Sequence, residues 1–167
     1  MRPPRLEDYE DILALRSDPE VARYLGGALD AEQAWGRVIR SAGHWAMLGF
    51  GFWVVRERES GRFVGEAGFG DFRRTLDPPF GDAPEMGWTL ARWAQGQGFA
   101  REAVEAALAW GSPVFGPVRV VCMIDDDNEP SLKLAARLGF SEYGRASYQD
   151  TPVILLERSL PPLETFA

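Results

Sequence analysis

The spacing of apolar positions changes several times along the chain, and each change marks an element. Leu6, Tyr9, Ile12 and Leu13 recur at helical spacing and predict a first helix over Leu6–Leu15. Ser17-Asp18-Pro19 interrupts it, a shorter helix around Glu20–Tyr24 follows, and Gly26-Gly27 ends that piece. Asp30 predicts the cap of a third helix, with Gln33 placed to close a capping box. Its expected apolar face is Ala34, Trp35, Val38, Ile39 and Ala42. The residue types then change. Phe50–Glu57 and Arg62–Phe69 are rich in β-branched and aromatic residues and predict two strands, with Glu59-Ser60-Gly61 as the hairpin turn. Asp77-Pro78-Pro79-Phe80-Gly81-Asp82 reads as a loop, and Glu85–Ala91 as a further strand.

The second half repeats a strand–helix rhythm. A glycine-rich segment opens a helix at Phe99–Trp110, in which Arg101 and Glu105 stand four apart on one exposed face. Gly111, Pro113, Gly116 and Pro117 are expected to break the chain. Val118–Ile124 is nearly all apolar and predicts a strand buried on both faces. Asp125–Asn128 reads as a turn, Pro130 suits the first turn of a helix running to about Leu138, and Gly139 is its stop. Strands near Ser141–Ser147 and Pro152–Arg158 complete the sheet, and Pro161-Pro162 begins a short tail over 161–167. Helices, an antiparallel meander, then strand–helix–strand–helix–strand–strand make a mixed α/β (α+β) sheet, expected as a single domain over 1–160.

Composition narrows the chemistry. A chain of 167 residues with 46% hydrophobic content suits one domain with a sizeable core. No apolar run approaches the roughly 20 residues that span a bilayer, and the N-terminal residues lack the apolar core of a secretory signal, so the protein reads as cytoplasmic. Cys122 and His44 are the only residues of their types, which excludes an intramolecular disulfide, a cysteine-cluster metal site and a multi-histidine metal centre; no metal is expected. No G-x-S-x-G elbow accompanies His44, so a serine hydrolase triad is excluded. A net charge of −7 argues against a nucleic-acid partner and is compatible with a cationic amine substrate.

Gln95-Gly96-Gln97-Gly98-Phe99-Ala100 lies between a strand and a helix. The first amides of a helix have no internal partner and point outward with the positive end of the dipole. Gly96 and Gly98 permit positive φ and leave room for a phosphate, and Ala100 is small. Such a turn predicts a pyrophosphate at the helix start. The lysine phosphate loop is excluded because no lysine is nearby, and the dinucleotide fingerprint because Arg101 stands where it needs glycine. An unrelated phosphate-binding module is the remaining rival.

Gln95, Gly98 and Ala100 meet the pattern Q/R-x-x-G-x-G/A, and Asn128-Glu129-Pro130-Ser131 followed by Gly139-Phe140 meets N-x-x-[S/A]-x₇-G-F. With Glu85-Met86-Gly87-Trp88, these segments resemble the GNAT superfamily of N-acetyltransferases over about Arg2 to Arg158. The opening Arg2–Asp8 is similar to the branch that acetylates the N-terminal alanine of ribosomal proteins. The resemblance implies a mostly antiparallel central sheet flanked by helices, with a splayed fourth and fifth strand. It implies acetyl-CoA as acyl donor, pantetheine pairing with the backbone of Trp88, Thr89 and Leu90, and pyrophosphate on the amides of Gln95, Gly96, Gln97, Gly98, Phe99, Ala100 and Arg101. Asn128 and Ser131 are implied to face the pantetheine arm and thiol end. A neutral amine, on a small molecule or a protein N-terminus, attacks the thioester, with Glu85 as base. Homodimers are common in the family.

Two positions depart from the pattern. The tyrosine that many members use to protonate the thiolate is Ala135 here, which leaves Ser131 or water as the acid, and the first strand is cut to a few residues before Leu6. A CoA-binding regulatory domain without efficient catalysis, or a transferase for another acyl-CoA such as succinyl-CoA, are therefore alternative readings. Other readings stay open residue by residue. Glu85 is either the base or a solvated strand-end carboxylate. Ser131 either meets the thiol or caps its helix. Glu66 is expected at the surface, His44 in a loop or helix end, Cys122 in the core, and Asp125-Asp126-Asp127 in a solvated turn. Trp45 is expected in a glycine-bounded connection lining the acceptor pocket.

Overall fold

A six-stranded sheet of order β1-β2-β3-β4-β6-β5 organises the chain in a computed structural model that describes residues 1–161. Its strands are β1 (Phe52–Arg56), β2 (Phe63–Gly70), β3 (Glu85–Leu90), β4 (Arg119–Asp125), β5 (Ser141–Tyr148) and β6 (Thr151–Ser159). The helices are α1 (Tyr9–Ser17), α2 (Pro19–Ala22), α3 (Ala31–Leu48), α4 (Phe99–Phe115) and α5 (Glu129–Arg137). All strand pairs are antiparallel except β3 with β4. Of the tail expected at 161–167, residues 162–167 lie outside the described residues. Among the described residues no helix is long and apolar enough to cross a membrane.

The N-terminal segment contributes one bridge rather than a strand. Arg2 and Val54 exchange both backbone hydrogen bonds, at 3.1 and 2.9 Å, and Pro3 and Pro4 then bring no N–H to extend the ladder. The strands expected as fourth and fifth are therefore β3 and β4. Asp8, fully buried, accepts both terminal nitrogens of Arg2 at 2.7 Å, the Arg5 amide at 2.8 Å and Arg56 at 3.1 Å. This carboxylate turns Leu6–Asp8 into a 3₁₀ turn ahead of α1. Leu6, expected on the apolar face, consequently points to solvent, and burial falls on Ile12 and Leu15.

Asp30 and Gln33 close the expected capping box, at 2.8 and 3.0 Å. The face it was expected to bury is only partly right. Ala34 and Val38 are buried with Ser41, whereas Trp35, Ile39 and Ala42 are exposed. The helix also runs on through His44 and Trp45 until Gly49, in left-handed conformation at φ 74°, stops it. Helix α4 likewise passes Gly111 and Pro113, the expected breakers, and ends at Phe115. Gly111 lies against the Phe69 ring, where a Cβ would sit 2.8 Å from it, and Phe115 packs edge-on to Phe69 and Phe50, which holds the last turn.

One face of the sheet carries Trp53, Val55, Val64, Ala67, Phe69, Met86, Val120 and Ile154 and buries them under α4 and α5. The opposite face is covered in two halves. Ile12, Leu15, Val21 and Val38 from the N-terminal helices pack on Val54 and Phe63. Leu76 and Phe80, from the loop between β2 and β3, pack on Val121, Val153 and Leu155. Between the halves, Gly68, Gly70 and Gly87 occupy this face of β2 and β3. Phe72 lies on Gly70 and Phe52 on Gly87, each ring within 2.7 Å of where a Cβ would stand. Gly87, Phe52 and Phe72 remain partly open to solvent. The absence of side chains in the strands thus leaves an aromatic-floored surface in the middle of the sheet.

Candidate active site

Strands β3 and β4 touch at one register point, Glu85 opposite Val121, with the Val121 amide donating to the Pro84 carbonyl at 3.2 Å. Beyond it they diverge. Trp88, Thr89 and Leu90 keep partners only on β2, namely Ala67, Glu66 and Gly65. Backbone groups alternate in direction along the strand, so those of Thr89 turn to Glu66 on β2 and those of Trp88 and Leu90 to the gap, where an extended amide chain can pair with them.

The glycine-rich turn stands at the open end of this gap. Gly96 and Gly98 take φ of 75° and 90°, and among the described residues nothing beyond their chain neighbours lies within 4 Å of either would-be Cβ. The glycines therefore serve the left-handed backbone rather than internal packing. The amides of Gly96 to Arg101 have no acceptor among the described residues, and no side chain caps the helix. Gln95 differs. Its amide donates to the Arg92 carbonyl at 3.2 Å and its side chain to Leu90 at 3.1 Å, so it braces the turn instead of facing it. Gln97 is tied back similarly, by its side-chain amide on the Trp93 carbonyl.

Asn128 caps α5, its Oδ1 accepting from the Ser131 amide at 3.2 Å. Ser131 is thus the capped residue and not the cap. Its hydroxyl is half-buried and has no hydrogen bond among the described residues. Ala135 is fully buried, in the core under the sheet.

Glu85 is buried rather than solvated. Arg74 grips it through both oxygens, Nε to Oε2 at 2.5 Å and Nη2 to Oε1 at 2.8 Å. Burial raises its carboxyl above the ordinary value, and Arg74 limits the rise. Such a carboxylate at the root of the splay is suited to take a proton. Glu66, expected at the surface, is instead only 1% exposed. Its register puts it on the α1/α3 face, where its Oε2 accepts from Arg16 at 2.9 and 3.2 Å and from Arg37 at 3.1 Å. Burial alone would raise its pKa, but Arg37 and Arg16 outweigh it and hold the carboxyl below the ordinary value. Arg16 is in turn pushed down to about 10 by burial and by Arg37.

The remaining expectations divide. Trp45 belongs to the core. It packs edge-on to Trp53 and Trp110 and donates to the Phe52 carbonyl at 2.9 Å, because α3 extends past it and turns it inward. His44 sits near the end of α3 and bridges the carbonyls of Arg40 and Asp71, at 2.9 and 3.1 Å. Cys122 is buried, and that burial pushes its thiol above the ordinary value, which removes it as a nucleophile. The Asp125–Asp127 carboxylates cluster within 4.8 Å in the turn before α5, with Asp126 and Asp127 exposed.

Residues missed by sequence reasoning complete the surface. Arg37 stacks 5.5 Å from the Phe52 ring centroid, Arg40 and Arg74 lie 5.8 and 4.8 Å from that of Phe72, and Arg74 also covers Tyr148 at 4.8 Å. The two phenylalanine rings are 6.2 Å apart. Gln149, at the β5–β6 turn, approaches Gly26 in the loop after α2. The available signal was Arg37 and Arg40 three apart, flanking the buried stripe of α3.

Comparison with known proteins agrees with this geometry. Residues 1–141 match the family model described as an acetyltransferase (GNAT) domain. A Bordetella pertussis protein assigned to the GNAT acetyltransferases superposes with a TM-score of 0.83 at 35% identity, covering 94% of this chain and 93% of that one. The uncharacterized N-acetyltransferase p20 of Bacillus licheniformis is 28% identical over 146 residues, 86% of this chain and 79% of its own length. A ribosomal-protein-alanine N-acetyltransferase from Brucella melitensis shares the fold, with a TM-score of 0.73 at 22% identity over 95% of this chain and 98% of that one.

Proposed function

Because the chain belongs to the GNAT acetyltransferase family, we propose that it transfers an acetyl group from acetyl-CoA to a primary amine, on a small molecule or a protein N-terminus, within one domain over 1–160. The observation that carries this reading is the coincidence of two features. The β3 edge at Trp88–Leu90 has no strand partner, and it leads directly into the unpartnered amides of Gly96–Arg101. The first suits pantetheine and the second the pyrophosphate, in the order in which CoA carries them.

The acceptor enters over Phe52 and Phe72, on the other side of the strands from α4. An amine is mostly protonated near neutral pH, and Glu85 takes that proton, directly or through a water. The amine nitrogen then attacks the thioester carbon, a backbone amide on the free edge of β3 holds the developing oxyanion, and the carbon–sulfur bond breaks. The attacking nitrogen carries one proton more than the amide product keeps; the Ser131 hydroxyl or a water relays it to the leaving thiolate, taking one proton as it gives one, and Glu85 returns its own proton to solvent. Asn128 and Ser131 meet the pantetheine arm and the thiol end.

Isothermal titration with acetyl-CoA, followed by assay of released CoA thiol over a panel of amines, tests the reading. Binding with amine-dependent thiol release supports it. Folded protein that binds no acetyl-CoA overturns it, and binding without release from any amine leaves a CoA-binding domain. Competition between acetyl- and succinyl-CoA identifies the donor.

A further inference from the structure

The protein as a whole is acidic, at −7, yet the surface over Phe52 and Phe72 has the opposite sign. Arg16 and Arg37 meet there on Glu66, Arg74 on Glu85, and Arg40 lies over Phe72. Asp71 adds one negative charge and is paired with Arg73 at 3.1 Å. His44 bonds backbone carbonyls, and Tyr148 lies under Arg74. Glu66 serves two guanidiniums and Glu85 one, so two positive charges are left over.

The excess sits on identifiable atoms. Arg40 makes no ion pair among the described residues, although it shares the Phe72 ring with Arg74. Arg37 spends only its Nε on Glu66, and Arg74 spends Nε and Nη2 on Glu85. Both Nη atoms of Arg37 and the whole Arg40 guanidinium remain free among the described residues, whereas Arg74 also reaches Tyr148. Burial, then Arg37 and Arg74, pull Arg40 below the ordinary arginine value, as mutual repulsion requires. Guanidinium groups collected over aromatic rings with fewer carboxylates than cations are a setting in which a planar or tetrahedral anion gains bidentate, charge-assisted hydrogen bonds.

We propose that the acceptor is a small primary amine bearing an anionic group, carboxylate or phosphonate, seated by Arg40 with the free nitrogens of Arg37, beside the Arg74 guanidinium. The inference rests on the acyl-transfer reading above. Arg74 bonds Glu85 and shares a ring with Arg40, so the anion seat and the candidate base are neighbours and a short aliphatic link separates amine from anion. The whole-chain charge, which suited a cationic amine, does not describe the field at this surface.

The test uses matched amines. The protein is first titrated with CoA, and the CoA complex is then titrated with glycine against glycinamide, β-alanine against β-alaninamide, aminomethylphosphonate, and putrescine as a cationic control. The anionic member of each pair is expected to bind at least about tenfold more tightly. Arg40→Ala is expected to cut that preference by about tenfold and Arg40→Lys to restore part of it. Equal or tighter binding of the neutral or cationic amines, no binding of any anionic amine, or an unchanged preference in Arg40→Ala overturns the proposal. Failure of CoA itself to bind removes the transferase reading and this inference with it. Normal CoA binding without charge preference removes this inference alone.

Discussion

Arg74 holds Glu85 by both carboxylate oxygens, at 2.5 and 2.8 Å, at the one point where β3 and β4 still pair. The loop that packs Leu76 and Phe80 on the far half of the sheet delivers this arginine. The ion pair links the proposed base to the aromatic floor formed by Phe52 and Phe72.

Glu85→Gln is expected to lower kcat by about 10²–10⁴-fold while leaving the acetyl-CoA dissociation constant near wild type. Unchanged turnover at saturating amine would remove Glu85 as the base. The rate should fall on the acid side as Glu85 becomes protonated, at a pH above the ordinary carboxylate value of 4.5. Arg74 lowers that pKa, so Arg74→Gln should move the acid limb to higher pH. A limb that stays in place or moves down contradicts the assignment.

Gly98 stands at φ 90° with open space where its side chain would be. Gly98→Val forces a β-branched residue into left-handed backbone and fills the space assigned to the pyrophosphate, so acetyl-CoA binding should be lost by calorimetry. The melting temperature should drop only modestly, in keeping with a local cost of about 1–3 kcal/mol. Wild-type affinity in a folded variant would place the pyrophosphate elsewhere.

Asn128 and Ser131 should separate by readout. Asn128→Ala removes an N-cap and should cost about 1 kcal/mol in urea unfolding. Ser131→Ala removes a hydroxyl with no partner in the described structure, so stability should barely change while kcat falls. A Ser131→Ala variant with full kcat assigns the leaving-group proton to water.

Glu66→Ala leaves Arg16 and Arg37 without their shared carboxylate and should destabilise the fold by about 3–5 kcal/mol. Glu66 is held below its ordinary 4.5 in the folded protein. Between the two values the unfolded chain binds more protons, so stability rises with pH there. The contribution is complete above the unfolded value and is lost as pH falls through the folded one. Acid titration of unfolding free energy should show a shallower slope in that window for the variant, and an identical slope contradicts the buried-pair account.

The sequence by itself located the six strands and the starts of the main helices, because apolar period, caps and turn residues are local, while the ends of α3 and α4 lie several residues beyond where it placed them. The Asp30–Gln33 box, the Gly139 stop after α5 and the Val118–Ile124 strand were all legible in it. So were the glycine-rich turn and the Asn128–Phe140 segment, whose spacing is a property of the chain. What it could not show is where side chains meet across elements. Leu6 and Trp35 looked buried and are exposed, Glu66 looked exposed and is buried, and Trp45 looked like a pocket wall and belongs to the core. Gly111 and Pro113 looked like the end of a helix that Phe69 and Phe115 carry onward. Only the tertiary structure decided these, because burial on a sheet face follows from register and from what covers that face. It alone assembled Arg37, Arg40 and Arg74, from α3 and the β2–β3 loop, over rings seated on Gly70 and Gly87. The proposed donor side is built from two motifs, each local in the chain, and could be read from their spacing. The proposed acceptor side is made of charges far apart in sequence, and their sum appears only once the chain has folded.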